Sequence, residues 1–187
     1  MSDGKIRLLD VRISFANLFT PKSVNGGAAR YGANFLIPKD SPQIAQINAV
    51  IEEVAKEKWG KDAAKNLEKL RPKDLLCLRD GNDKEYDGYE DCMYIAANAG
   101  VKARPTVLDS DLRPLVETDS KIYAGCYVNA ILVLWVQDDS NGKRINAQLK
   151  GVMFKRDGDA FAGSGPLDPS EFADLAVTDD DTAGLLG

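Results

Sequence analysis

The chain has 187 residues, 44% of them hydrophobic and 7% aromatic. That is the make-up of one globular domain, and it excludes wholesale disorder, collagen and a continuous coiled coil. The net charge of −5 hides an asymmetry: residues 1–156 hold all 24 Lys and Arg against 21 acidic residues, whereas residues 157–187 hold eight acidic residues and no basic one. A mildly basic body with an acidic end is compatible with a polyanionic partner that the mean charge argues against. The chain has no histidine, which removes the commonest general base, the Ser-His and Cys-His nucleophile pairs and every imidazole zinc site. Cys77, Cys92 and Cys126 lack CxxC spacing and read as free thiols in a reducing compartment, two of them inside apolar runs. The longest apolar run, residues 130–136, is strand length, and no apolar segment follows the N-terminal MSDGKIR. The expectation is therefore no membrane partner, no secretory signal and a cytoplasmic location.

In chain order, residues 5–19 read as a strand, with Leu9, Val11, Ile13 and Phe15 alternating with Asp10, Arg12 and Ser14. A loop with Asn25-Gly26-Gly27 leads to a second strand whose Tyr31, Ala33, Phe35 and Ile37 share one face. A helix follows: Ser41 can cap it, Pro42 suits its first position, Ile44, Ile47, Ile51 and Val54 recur at helical spacing, and Gly60 ends it. A shorter helix is predicted over residues 62–70, with Leu67 and Leu70 inward and Pro72 as its stop. Strand patterning returns at residues 75–78, 93–97 and 104–108, then over 122–136 and 144–156, the last two joined by an Asn141-Gly142 turn signal. At least five strands around one helical insertion (about residues 41–70), with no βαβ alternation, favour a small antiparallel barrel or sandwich. Gly125 and Gly151 are candidate bulges where such a sheet could bend. Residues 166–187 lose periodicity and read as a disordered acidic tail after a domain of residues 1–165.

The acidic loop Asp83-Lys84-Glu85-Tyr86-Asp87-Gly88 resembles half of a calcium loop, but Tyr94 stands where the closing Glu belongs. It reads as a solvated turn. A magnesium nuclease would need carboxylates converging from several rigid elements. No P-loop or GxGxxG is present. No catalytic residue, metal or cofactor is assigned. The long strand is more informative. One face, Ile122, Ala124, Cys126, Val128, Ala130, Leu132 and Leu134, is apolar throughout. The other carries Tyr123, Tyr127 and Asn129, a flat, partly polar platform on which bases of any sequence can stack. Lys150 and Arg156 on the return strand, with Lys102 and Arg104 on the extended piece, are candidate phosphate contacts. The alternative for both tyrosines is packing beneath the helical insertion. Trp135, beside Ile131 and Val133, reads as a packing residue.

These residues resemble the OB-fold single-stranded DNA-binding proteins of tailed bacteriophages, in the branch first catalogued as a phage domain of unknown function. The resemblance runs through Val11-Arg12-Ile13-Ser14-Phe15, Phe35-Leu36-Ile37-Pro38-Lys39, Tyr94-Ile95-Ala96-Ala97, Arg104-Pro105, Ile122-Tyr123-Ala124-Gly125-Cys126-Tyr127-Val128 and Arg156-Asp157-Gly158. Order and spacing carry it more than any one piece. Two positions depart: the family often has asparagine where Ala96 stands and a basic residue where Asn129 stands. The resemblance implies an OB-fold-like antiparallel β-barrel, no catalysis, no metal, and a sequence-nonspecific single-stranded DNA-binding protein of phage replication or recombination in the host cytoplasm. It also implies an acidic tail that recruits replication proteins. Asp179, Asp180 and Asp181, followed by Leu185 and Leu186, suit docking on a basic, partly apolar groove. A homodimer is left open. Two other readings compete: an interaction protein working through its tail alone, and a metal-dependent nuclease using the acidic loop.

Overall fold

Alternating β-branched and aromatic residues make the first half of the barrel. A computed structural model describes residues 3–23, 26–161 and 169–175. Strand β1 (Lys5–Lys22) pairs antiparallel with β2 (Arg30–Pro38), whose Tyr31, Ala33, Phe35 and Ile37 all point into the core as the alternation requires. Helices α1 (Gln43–Trp59) and α2 (Ala63–Leu70) then interrupt the sheet. The helix starts one residue later than the spacing suggests, with Pro42 at the N-cap, and Ser41 Oγ accepts the Gln43 N–H at 3.2 Å just ahead of it. Ile47, Ile51 and Val54 of α1, with Leu67 and Leu70 of α2, join the same apolar cluster as the inward residues of the strands. The sheet resumes with β3 (Leu78–Asp80), β4 (Cys92–Gly100), β5 (Thr106–Leu108), β6 (Tyr127–Asp139) and β7 (Gly142–Arg156).

The strand order is β3-β4-β2-β1-β6-β7-β5, and β4 also pairs with β7. That extra seam closes β1, β2, β4, β7 and β6 into a five-stranded barrel. The seam is parallel, Ala97 opposite Ala147, while the other four barrel pairings are antiparallel. Short β3 and β5 extend it at either side of the seam, β5 running parallel to β7. Gly151 sits where the β6–β7 register shifts, so it marks a bulge.

Three details differ from the periodicity. Strand β6 begins at Tyr127, not near residue 122. Gly125 takes φ +108°, and a Cβ there would run into the Asp159 carbonyl oxygen, so the chain turns sharply before the strand starts. In β1, Leu9 and Phe15 point outward, 54% and 46% exposed, although they share a parity with buried Val11 and Ile13. The cause is two bulges. Between Leu8 and Val11, and again between Ser14 and Asn17, β1 holds one residue more than its partner strand. Asp10 (φ +54°) and Phe15 (φ +50°) occupy the left-handed region there. Finally, Trp135 is 45% exposed instead of packed.

Cys77 and Cys126 are buried free thiols, and burial pushes the Cys77 thiol up to about 12. Among the described residues no helix is long and apolar enough to cross a membrane. The expected acidic tail lies mostly outside the described residues. Within it, Pro169–Leu175 forms a short 3-10 helix, with Phe172 and Leu175 exposed.

Candidate functional site

The second bulge of β1 turns Phe15 out of the barrel and onto Tyr86, edge to face, with centroids 4.8 Å apart. Tyr86 is 49% exposed. Tyr89, three residues on, is fully buried over β2 and β4, where Asn34 donates to its hydroxyl at 2.9 Å. The loop that read as acidic and solvated is therefore anchored by one tyrosine and presents another. Beside Phe15 a groove of about 700 Å³ runs along the second half of β1 to Phe19 and Lys22. Its opposite wall comes from the segment before β6, with Lys121 and Tyr123. Among the described residues Glu117 is the one acidic lining residue against these two lysines. A smaller recess, bordered by Asn17, Arg30 and Asn98, continues it towards the β1–β2 loop.

Tyr123 is half-buried. Its hydroxyl lies 2.8 Å from the Gly158 carbonyl oxygen and 3.1 Å from Asp157 Oδ1, and it accepts the Gly158 N–H at 3.1 Å. Burial raises its phenol above the ordinary tyrosine value. These bonds fix the ring as one wall of the groove. Tyr127, one turn of chain further, carries the Arg156 guanidinium 3.6 Å from its ring centroid. Arg156 Nε and Nη2 donate to the Asp10 carboxylate at 3.0 and 3.2 Å. Hydrogen bonding from Arg156 holds the Asp10 carboxyl below its usual range. The Asp10 N–H is in turn held by Asn129 Oδ1 at 2.9 Å, which stabilises the first bulge. On Tyr127, then, the Arg156 guanidinium already occupies a stacking position, with Arg12 5.6 Å from the same ring centroid.

The other candidates form a second group. Lys150 lines a cleft of about 540 Å³ with Arg7, Leu9, Ile131 and Leu112. Thr106 pairs with Gly151, so Arg104 lies at the start of the same β5–β7 seam as Lys150. Lys102 and Arg104 are exposed on the connection between β4 and β5. The structure thus brings Tyr127 to Arg156, links both to Tyr123 through Asp157 and Gly158, and puts Lys150 near Arg104 further along β6 and β7. Asp179, Asp180, Asp181, Leu185 and Leu186 lie outside the described residues.

Phe15, Phe19, Tyr86, Lys22 and Lys121 escaped the sequence reading. One signal was available: inward apolar positions change parity twice along β1, from Ile6 and Leu8 to Val11 and Ile13 and then to Leu18, and the second change lets Phe15 face outward. Tyr86 and Tyr89, two large aromatics in a polar loop, were a second.

Five strands closed through one parallel seam, with an aromatic and cationic groove beside the loop between the first two strands, define an OB-like barrel, a fold whose outer face and loops bind oligonucleotides or oligosaccharides. Comparison with known proteins gives the particular family. The model of the family described as Enterobacter phage Enc34, ssDNA-binding protein, matches residues 4–183. Over 184 residues the chain is 45% identical to protein p50 of Acyrthosiphon pisum secondary endosymbiont phage 1, covering 95% of this chain and 97% of that one. The single-stranded DNA-binding protein from bacteriophage Enc34, solved in complex with ssDNA, matches with a TM-score of 0.71 at 30% identity, over 85% of this chain and 90% of that chain. Bacteriophage T7 gp2.5, a single-stranded DNA-binding protein, shares the fold: TM-score 0.59, 14% identity, 95% and 97% coverage. The chain belongs to the Enc34 phage single-stranded DNA-binding protein family, a family of binding proteins and not of enzymes.

Proposed function

We propose that this chain coats single-stranded DNA in the host cytoplasm during phage replication or recombination, without strong sequence preference. The observation that carries the reading is the groove itself. Exposed Phe15 and half-buried Phe19 and Tyr123 line one groove with Lys22 and Lys121, beside a closed barrel. Bases of any identity have a π-face to stack, and lysines neutralise phosphates without reading sequence. Arg156, held 3.6 Å over the Tyr127 ring, extends the track, since a guanidinium plane can itself carry a base. Lys150, Arg104 and Lys102 continue the positive edge along the β5–β7 seam. The Enc34 relative, solved in complex with ssDNA, supports single-stranded DNA as the ligand.

The acidic end acts in two ways in this reading. Its carboxylates compete with DNA for the body's cations, and Asp179–Asp181 with Leu185 and Leu186 dock on replication proteins. Removing residues 166–187 deletes six carboxylates and takes the net charge from −5 to +1. Titrating tyrosine and tryptophan fluorescence with oligo-dT tests the reading. Salt-sensitive quenching is expected, and the truncated chain should bind more tightly at low salt. An unchanged signal would leave the tail as the working part. Magnesium-dependent shortening of the DNA would point to a nuclease instead.

A further inference from the structure

The helical insertion carries a feature that the groove does not use. From Gly60 to Lys73 the chain is helical without a break, through a 3-10 turn, α2 and a second 3-10 turn. Every fourth residue along it is lysine: Lys61, Lys65, Lys69 and Lys73, all exposed. The opposite side is apolar and buried through Ala63, Leu67 and Leu70, so the stripe is fixed relative to the barrel. None of the four lysines makes a salt bridge among the described residues, although Asp62, Glu68 and Asp74 are close in sequence. Like charges four residues apart destabilise a helix, so the pattern is kept against its own local preference. Lys65 and Lys69, both within α2, are about 6 Å apart along the axis, close to the separation of neighbouring phosphates on an extended strand, and the flanking 3-10 turns, with their longer rise, carry Lys61 and Lys73 somewhat further on. No exposed aromatic accompanies them. Trp59 is half-buried and its Nε1–H is held by Asp138 at 2.8 Å.

The geometry points to a second nucleic-acid site on this insertion, one that grips the phosphodiester backbone by charge alone. It rests on the reading of the groove as the primary site. The two are separate. The insertion docks on the N-terminal half of β1, through Gln43 to the Leu9 backbone, whereas the groove uses Phe15 to Lys22. A strand that only fills the groove does not need the lysines. A longer strand that wraps the barrel, or a duplex lying across the insertion, supplies the same backbone chemistry.

The full-length chain carrying Lys61→Gln, Lys65→Gln, Lys69→Gln and Lys73→Gln tests this. Glutamine keeps the helix propensity, and a thermal melt checks the fold; a Lys65→Gln, Lys69→Gln pair serves if the quadruple variant melts early. The probes are a short oligo-dT that fills the groove, a long oligo-dT and a blunt duplex. The short probe should bind as to the unmodified chain. Long-strand affinity should fall at least several-fold, and its log–log salt slope should shrink by about 0.7 for each phosphate released. Loss confined to the duplex assigns the site to duplex backbone; loss on the long strand assigns it to a wrapped single strand. Equal affinity and slope for every probe overturns the proposal. So does a variant that loses only its affinity for a peptide of residues 174–187, which would make the stripe a seat for the acidic end. Failure of the unmodified chain to bind the short probe refutes the groove reading instead.

Discussion

The two ends of β1 contrast in how they are built. At the insertion end, local preference and tertiary structure agree: Ser41 accepts the first N–H of α1, Ile47, Ile51 and Val54 fall on one face, and α1 and α2 bury that face in the common core. At the groove end, local rules are broken. Phe15 sits at φ +50° in a bulge, Ser120 takes φ +48° in the opposite wall, and Gly125 needs a backbone that no side chain tolerates. Strained backbone persists where the surroundings over-determine it and where an outward-aimed side chain has a use. The contrast teaches that the helical insertion follows one periodicity into the common core, while the groove end uses irregular backbone to point rings and cations outward; closure itself comes from the β4–β7 seam.

The contrast breaks most sharply at Gly125. Gly125→Val places a branched side chain against the Asp159 carbonyl at φ +108°. A loss of roughly 2–5 kcal/mol in unfolding free energy is expected from strain and overpacking combined. A denaturant midpoint checks it. A neutral outcome would mean that the segment before β6 is not held as described, and the Tyr123 wall would lose its support.

Phe15 separates use from stability. Phe15→Ala should weaken oligo-dT binding by about 1–3 kcal/mol if a base rests on the ring. Phe15→Gly should bind just as weakly yet melt higher than the Ala variant, because glycine relieves a left-handed penalty of about 1–2 kcal/mol. If both variants bind normally, the groove does not stack bases there.

How much of this was legible follows the same division. The insertion, the inward face of β2 and the apolar face of the long strand were readable because one periodicity governs each. Closure of the barrel was not, because the parallel β4–β7 seam joins residues about fifty positions apart and leaves no local trace. The pairing of Tyr127 with Arg156 lies on the strand face that the alternation predicts, whereas Tyr123 precedes β6 and owes its place to the turn at Gly125. Phe15 was misplaced because a bulge reverses parity, and a strict two-residue repeat cannot express an inserted residue. Lys121 depends on the fold of the loop before β6. There Lys121 and Arg113 lie 3.8 and 3.1 Å from buried Asp109.

The electrostatic contribution is smaller per residue and is read from salt. Lys22→Ala and Lys121→Ala should each lower the log–log slope for oligo-dT by about 0.7 if each lysine neutralises one phosphate. Lys121 also contacts Asp109 and stands 5.0 Å from the Phe154 ring, so its change should be the less complete of the two. Equal slopes for both variants and the unmodified chain would move the DNA off the groove.

The smallest effect concerns the first bulge. Hydrogen bonding from Arg156 lowers the Asp10 carboxyl below its ordinary value in the folded chain. A carboxylate whose folded pKa is depressed contributes stability that is fully present above the unfolded pKa and is lost as pH falls through the folded one. The pair therefore helps at neutral pH and ceases to help in the acid range below the ordinary carboxylate value. Both side chains are well exposed, so water and salt screen the pair and its contribution is small. Asp10→Asn is the appropriate probe, since asparagine tolerates φ +54° and leaves the bulge intact. Its melting temperature should lie slightly below that of the unmodified chain at neutral pH, and the gap should close as the pH drops through the acid range. A gap that stays constant with pH would mean that Asp10 acts through the backbone of the bulge, where Asn129 already holds its N–H, and not through the ion pair with Arg156.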